Sequence, residues 1–565
     1  MGSLLILFVS LILFVLAYIF YGRFVADRVF RADDRRVPPS VELRDDIDYV
    51  PTNKEVLFGH HFASIAGTGP IVGPAIAVIW GWLPALVWII IGSIFAGAVH
   101  DYAALMMSTR NKGVSIGELS RCMLGKRGRI LFLLLIFFSL WIVVAIFGMV
   151  MAVIFEMYPQ SVFPVWIQIP IAVCVGWLAY RRGSNLTVLS VIAVALMYLS
   201  IAIGVNMPIH MPSILGIPPL GIWVILLLVY AYVASVLPVW TLLQPRDYIN
   251  SHQLVIGIAL LALGILLARP EIVAPVINVA PKGAPPMLPF IFITIACGAI
   301  SGFHALVGSG TSSKQVRSER DVKFVGFGGM LTEGFLGVLV LIAVAAGIGM
   351  SVRATDGSVL NGVQAWQYHY SSWSAMQGLS AKVTAFVNGA ANMMTSLKIP
   401  VRYGQAIIGV LVASFTGTTL DTATRIQRYI VSEIAVESKI KILQKRHPAT
   451  LFVVLLAGLL AFSQGAGSGA LVLWPLFGTS NQLLAGLVLL VASVYLVRER
   501  SKAWITIVPM FFMMLFSVWA IIINIAEFTR SGKILLAAIS LTMLFFSIWM
   551  FVEAVKVAGT KKEMT

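Results

Sequence analysis

Apolar runs of about 20 residues recur from one end of this chain to the other, and a helix needs a run of that length to cross roughly 30 Å of hydrocarbon. The clearest begin near Leu4, Leu83, Ile130, Pro164, Val188, Ile222, Leu254, Leu288, Phe327, Ala406, Leu451, Ala470, Ile505 and Leu535. With the interrupted runs described below, roughly sixteen segments are expected to enter a bilayer. The expected fold is therefore an all-α polytopic membrane protein, a single transmembrane domain over residues 1–565 with no stretch that reads as a soluble domain. Composition agrees, with 59% hydrophobic and 11% charged residues. The first run, Ser3 to Phe20, has no basic region before it and no small-residue cleavage site, so it reads as a retained span.

Two runs are written to break. Leu57 to Pro74, LFGHHFASIAGTGPIVGP, carries two histidines, four glycines and two prolines. Irregular backbone persists at membrane depth only where it is buried in protein or lines a polar cavity, so a broken span marks a candidate site. The group Gly67, Gly69, Pro70, Gly73 and Pro74 is denser in Pro and Gly than packing requires. Ala296 to Lys314, ACGAISGFHALVGSGTSSK, looks like its counterpart, with Gly298, Gly302, His304, Gly308 and Gly310 ahead of a run of hydroxyls. The two breaks fall on oppositely directed spans, as an inverted repeat of discontinuous helices would place them. The alternative is that small residues let helices pack closely, which is the preferred reading for Gly92, Gly97, Gly328 and Gly329. A third segment, Val383 to Lys398, is interrupted by Gly and Asn and reads as re-entrant or broken, with an interfacial amphipathic helix as the alternative.

The formal net charge of +16 does not point to nucleic acid, because Lys and Arg sit in short loops between spans, where they set topology. Arg23 to Arg44, Arg110 to Arg129, Arg181/Arg182, Arg246, Lys314 to Lys323, Arg425 to Arg446 and Arg498 to Lys502 fall on one side if Val383 to Lys398 does not cross. That side is expected to be cytoplasmic. The N-terminus is then outside and the C-terminus inside, with residues 22–55 a cytoplasmic amphipathic loop and 423–449 a cytoplasmic basic helix and loop.

Ionisable residues at membrane depth mark pathways or proton relays. Glu333 lies within a span and is suited to carry a proton near neutral pH if no cation compensates it. Asp101, beside His100, and Asp421, where a span gives way to a basic helix, are weaker candidates for the same coupling, with capping or ion pairing as the alternative. Arg246 and Asp247 close a span and suggest a gating ion pair or a topological anchor. Asn481 and Gln482 could hydrogen-bond a substrate or join two helices. His60, His61, His100 and His304 all stand beside breaks, and imidazole suits zinc, copper or iron, so a metal- or haem-binding membrane protein is a rival reading. Against it, no His-x-x-x-His spacing is present, and Cys122, Cys174 and Cys297 are unpaired in spacing. No cofactor is certain. No nucleotide-binding Gly-x-x-x-x-Gly-Lys-Ser/Thr loop appears, which argues against ATP-driven transport.

The stretches YVPTNKEVLFGHHFASIAGTGPIVGPAIA, AGAVHDY, LLQPRDYIN, FITIACGAISGFHALVGSGTSSKQ, FGGMLTEGF, LDTATR and LWPLFGTSNQLLAGL together resemble the carbon starvation protein A family, over nearly the whole chain. The resemblance implies an inner-membrane secondary transporter made under carbon limitation, taking up short peptides and, in some members, pyruvate. It also implies the discontinuous helices and inverted repeat of the amino acid, polyamine and organocation superfamily. The expected mechanism is proton-coupled import by alternating access. A substrate carboxylate would meet free N–H groups at Gly67, Thr68, Gly69 and Gly73, near His61, and at Ser309 and Thr311, near His304. Glu333 would exchange the proton. A pyruvate or small-carboxylate symporter stays open as an alternative.

Overall fold

The structure is a computed structural model that describes residues 2–376, 379–463, 465 and 474–558. The helices that form the bundle are, in chain order, α1 (Ser3–Phe30), α2 (Lys54–Ile65), α3 (Gly69–Trp80), α4 (Trp82–Arg110), α5 (Ile116–Met157), α6 (Pro159–Arg182), α7 (Leu186–Asn206), α8 (Pro219–Val236) and α9 (Leu243–Ala268). They continue as α10 (Met287–Thr294), α11 (Gly302–Gly310), α12 (Lys323–Met350), α13 (Gly362–Tyr370), α14 (Leu379–Met394), α15 (Val401–Glu437), α16 (Arg446–Phe462), α17 (Trp474–Arg498), α18 (Trp504–Arg530) and α19 (Ile534–Ala558). One small antiparallel hairpin, Val352–Arg353 with Val359–Leu360, is the only sheet among the described residues.

Length and composition make 12 of the described helices able to cross a membrane, or 13 if α2 and α3 are one bent span, fewer than the roughly sixteen expected. Three segments make the difference. The run from Leu288 splits into α10 and α11, of 8 and 9 residues. The run from Leu451 forms α16, of 17 residues, and Val383 to Lys398 falls mostly in α14, of 16 residues. Too short to span alone, α14 docks into the bundle against α3, α12 and α15, and Asn392 on it donates to the Ser351 carbonyl at 2.6 Å. The residues before Trp474 in the run expected from Ala470, Leu473 of the LWPLFGTSNQLLAGL stretch, and the C-terminal 559–565 lie outside the described residues.

Among the 12 long helices the most buried are α12, α15 and α17, and the short α3 and α11 are buried along nearly their whole length, while α1, α6, α7, α18 and α19 turn apolar side chains outward. The expected basic loops gather at one end. Arg110 pairs with Glu319 at 2.8 Å and donates to the Arg31 carbonyl at 3.2 Å, Arg425 reaches Asp48 at 3.4 Å, and Arg498 donates to the Cys122 carbonyl at 2.8 Å. At the opposite end the α3–α4 turn is held by residues 275–278, with Trp82 N–H on the Pro275 carbonyl at 3.1 Å and Asn278 N–H on the Trp80 carbonyl at 2.8 Å. Residues 22–30 prolong α1, so the polar loop itself starts at Arg31.

Candidate functional site

The first break has a simple cause. Pro70 has no N–H to continue the helix from α2, and its ring excludes the carbonyl four residues back. The chain leaves α2 at Ala66 and restarts at Gly69 with Pro70 in its first turn, bent by 48°. The second break spans the residues between Thr294 and Gly302, where Gly298 takes φ +93°, a conformation that side chains other than glycine resist. The two breaks meet. A methyl at Gly69 would strike the Cys297 side chain, one at Gly73 would lie 2.7 Å from the Thr294 carbonyl oxygen, and one at Gly298 would lie 3.4 Å from Pro70 Cα. Close approach is thus one reason for Gly69 and Gly73, while at Gly298 the backbone conformation is the reason, and the contact brings together the two segments an inverted repeat would pair.

Gly298 is held at both its backbone groups by side chains. Glu333 on α12 accepts its N–H through Oε1 at 3.1 Å, and Ser93 on α4 donates to its carbonyl at 2.9 Å. Glu333 Oε2 lies 3.1 Å from His304 Nε2, an ionic distance whose angle does not form a hydrogen bond, so neither atom has one. The other side of that ring, Nδ1, is 2.8 Å from Asp101 Oδ2, and Asp101 Oδ1 is 2.7 Å from His100 Nδ1. All four side chains are buried. They form a linear chain, Glu333–His304–Asp101–His100, tied at one end to the break. With His304 charged and both carboxylates ionised, the chain keeps a net negative charge out of water, and one further proton removes it.

A second buried chain lies on the other side of α2. Arg246 and Asp247, next to each other on α9, pair at 2.6 Å. They are 3% and 0% exposed, so Arg246 is not a surface anchor. Asp247 Oδ2 also meets His60 Nδ1 at 2.7 Å. Arg246 reaches across to Asp421 on α15 and to the Tyr230 hydroxyl on α8, which itself donates to Asp421 at 2.8 Å. This chain ties the half-helix α2 to α9, α15 and α8. Asp421, grouped with Glu333 on sequence grounds, belongs here instead.

The remaining expected residues divide. Thr68 sits in the first break with its Oγ1 buried and unbonded, and His61 contacts Ser312 Oγ at 2.9 Å with Nε2 unbonded. Gly308 to Gly310 close α11 and do not open it, so that stretch presents carbonyls where free N–H groups were expected; Ser309 accepts the Ile116 N–H at 3.0 Å and Thr311 donates to the Val307 carbonyl at 3.0 Å. The free N–H groups of α11 lie at its other end, where Asn481 Oδ1 takes the Phe303 N–H at 2.9 Å. Gln482 donates to the Phe292 carbonyl, so both amides join α17 to the halves of the second broken span. The four histidines do not converge on one point: His60 pairs with Asp247, His61 with Ser312, and His100 and His304 with the two oxygens of Asp101. Among the described residues no group of three or more histidine, cysteine or carboxylate side chains is arranged to hold a metal ion. Sequence reasoning passed over Ser93, Tyr230 and Thr419, the last donating to the Ser64 carbonyl at 3.3 Å. Their only signal was a hydroxyl within an apolar run.

Comparison with known proteins decides the family. The sequence matches the carbon starvation protein CstA family over residues 2–520. This chain belongs to the CstA family. It is 34% identical to a peptide transporter CstA of Campylobacter jejuni, over 92% of this chain and 80% of that one. It is 35% identical to the peptide transporter CstA of Bacillus subtilis, over 89% and 86%, and 31% identical to the pyruvate/proton symporter BtsT of Escherichia coli, over 92% and 81%. In three dimensions this CstA-family chain is similar to a mutant of the Eremococcus coleocola manganese transporter, with a TM-score of 0.51 and 13% identity over 91% of this chain and 99% of that one. That likeness concerns the fold alone.

Proposed function

We propose that this chain is a proton-coupled secondary transporter that imports short peptides across the cytoplasmic membrane. The observation that carries the reading is the hydrogen bond from the Gly298 N–H to Glu333, because it joins a buried proton-exchanging chain directly to the backbone of a membrane break. The basic end is the cytoplasmic end by the charge rule, which puts the N-terminus outside. In this conformation the two breaks are in contact, so they separate to admit solute, and the unbonded Thr68 hydroxyl and the start of α3 at Gly69 then become available to a substrate carboxylate. Glu333 takes up a proton as the breaks close and releases it when they part. The chain His60–Asp247–Arg246–Asp421 acts as the inner gate by fastening α2 to α9 and α15.

The likeness to a pyruvate/proton symporter favours one alternative, pyruvate in place of peptide. Uptake of labelled dialanine and of labelled pyruvate into proteoliposomes, with and without an inward proton gradient, tests both. Gradient-dependent accumulation of dialanine supports the proposal, accumulation of pyruvate alone replaces the substrate, and failure of both with folded protein rejects it.

A further inference from the structure

At the basic end, Arg110, Arg129 and Arg425 each have a carboxylate within 4 Å, while the buried Arg428 stacks on the Tyr429 ring at 4.5 Å. Around one cavity of about 390 Å³ at that end, two opposite charges have no such pairing. The cavity is lined by Tyr49, Ser115, Ser309, Lys314, Tyr429 and Glu433, among others. Lys314 Nζ lies 4.5 Å from the Tyr429 ring centre and 5.5 Å from that of Tyr49. Contact with ring faces holds an ammonium in place while leaving its N–H groups free to donate. Glu433 accepts the Ser115 hydroxyl at 2.9 and 3.2 Å, and Ser115 is fixed in turn as the N-cap of α5 by the Glu118 N–H at 3.2 Å. Neither Lys314 nor Glu433 has an ion-pair partner within 4 Å among the described residues, and they do not pair with each other.

Two held charges of opposite sign face one cavity, neither with an ion-pair partner within 4 Å among the described residues although Lys314 also acts on Asp48 at longer range, and together they complement a ligand that carries both. The volume is in the range of small-molecule pockets, roughly 300–1,000 Å³, and exceeds many times the ~30 Å³ of a water. Ser309 belongs to α11, which starts at the second break and ends at this cavity, so the cavity lies one half-helix from the closed breaks. We infer that it is a release-side binding site for short peptides with free termini, with the peptide carboxylate on Lys314 and the peptide ammonium on Glu433. The inference rests on the peptide reading above and adds a second site to it; pyruvate, having no amine, would use only half of it.

Binding of dialanine, N-acetyl-dialanine and dialanine amide to the purified full chain tests the assignment, alongside dialanine uptake into proteoliposomes. In the wild type, blocking either terminus is expected to weaken binding by about tenfold, the scale of one charge-assisted hydrogen bond. Glu433→Gln should weaken dialanine similarly and shrink the penalty for acetylation, leaving that for amidation. Lys314→Gln should do the reverse, and Lys314→Arg, which keeps the charge, should retain both penalties and controls for folding. Variants that keep the wild-type ratios between free and blocked peptides, or that lose all three ligands equally, overturn the site. If the wild type accumulates dialanine and the variants behave as wild type, only this site fails; if the wild type neither binds nor accumulates dialanine, the peptide reading fails with it.

Discussion

Glu333 Oε1 accepts the N–H of Gly298 at 3.1 Å, so an ionisable side chain on one helix holds the backbone of a break in another. Ser93 takes the carbonyl of the same glycine from the opposite direction. Neither backbone group has a helical partner there, and in hydrocarbon each would otherwise be unsatisfied. One carboxylate thus links α12 to the backbone of the break.

Glu333→Gln keeps an acceptor for Gly298 but cannot exchange a proton. The rate of gradient-driven peptide uptake is expected to fall by about tenfold or more, ~1.4 kcal/mol in the barrier. Exchange of labelled for unlabelled peptide without a gradient should persist. Equal loss of both activities would assign Glu333 to structure alone.

Arg246→Ala would leave Asp247 and Asp421 facing each other's charge in the interior. Removing one partner of a buried ionic cluster costs about 3–5 kcal/mol, whereas replacing every partner by apolar groups costs less. The melting temperature in detergent should drop further for Arg246→Ala than for the triple variant Arg246→Met, Asp247→Leu, Asp421→Leu. The opposite order would mean the cluster is solvated.

Gly298→Ala and Gly69→Ala separate backbone strain from crowding. At Gly298 the added methyl has room, so the cost is that of the left-handed backbone, about 1–2 kcal/mol. At Gly69 the methyl overlaps the Cys297 side chain, and the loss should be larger and partly restored by Cys297→Gly. Thermal unfolding of the three variants checks the order; a Gly69→Ala variant as stable as wild type would show that the breaks are not packed together.

Asp48, in the loop before α2, titrates outside the spans. Burial acts to raise its pKa, but the Lys314 ammonium, the Arg425 guanidinium and the Tyr429 hydroxyl at 2.8 Å outweigh it and hold the carboxyl below its usual range. A depressed folded-state pKa contributes stability that is complete above the unfolded value and is lost as pH falls through the folded one. The melting-temperature gap between wild type and Asp48→Asn should be constant from about pH 8 to about pH 5 and narrow only below about pH 4. A gap that changes above pH 6 would trace to another group.

Much of the site was legible because membranes make polar residues conspicuous. Glu333, Asp101, His304 and the two Pro/Gly clusters stood out against apolar runs, and Pro70 sufficed to place the first break. The direction of α11 was not legible: Gly308 and Gly310 look like a helix start, but the local N–H groups had already been supplied from Gly302 onward. The count of long spanning helices among the described residues, 12 to 13, falls below the roughly sixteen apolar runs for a related reason, since hydropathy registers apolar length and not whether a backbone stays helical across it.

Sequence by itself determined the class, a multi-pass helical membrane protein with two interrupted spans, because lipid leaves a chain of such runs few ways to satisfy its backbone. It also determined the family, through ordered stretches shared along nearly the whole length. Only the tertiary structure decided which charges meet. It placed Asp101 with Glu333 through His304, and Asp421 with Arg246 and Tyr230, pairings that span up to 203 and 191 residues of chain. Such pairs are set by how helices distant in sequence pack, and one-dimensional spacing carries no record of that.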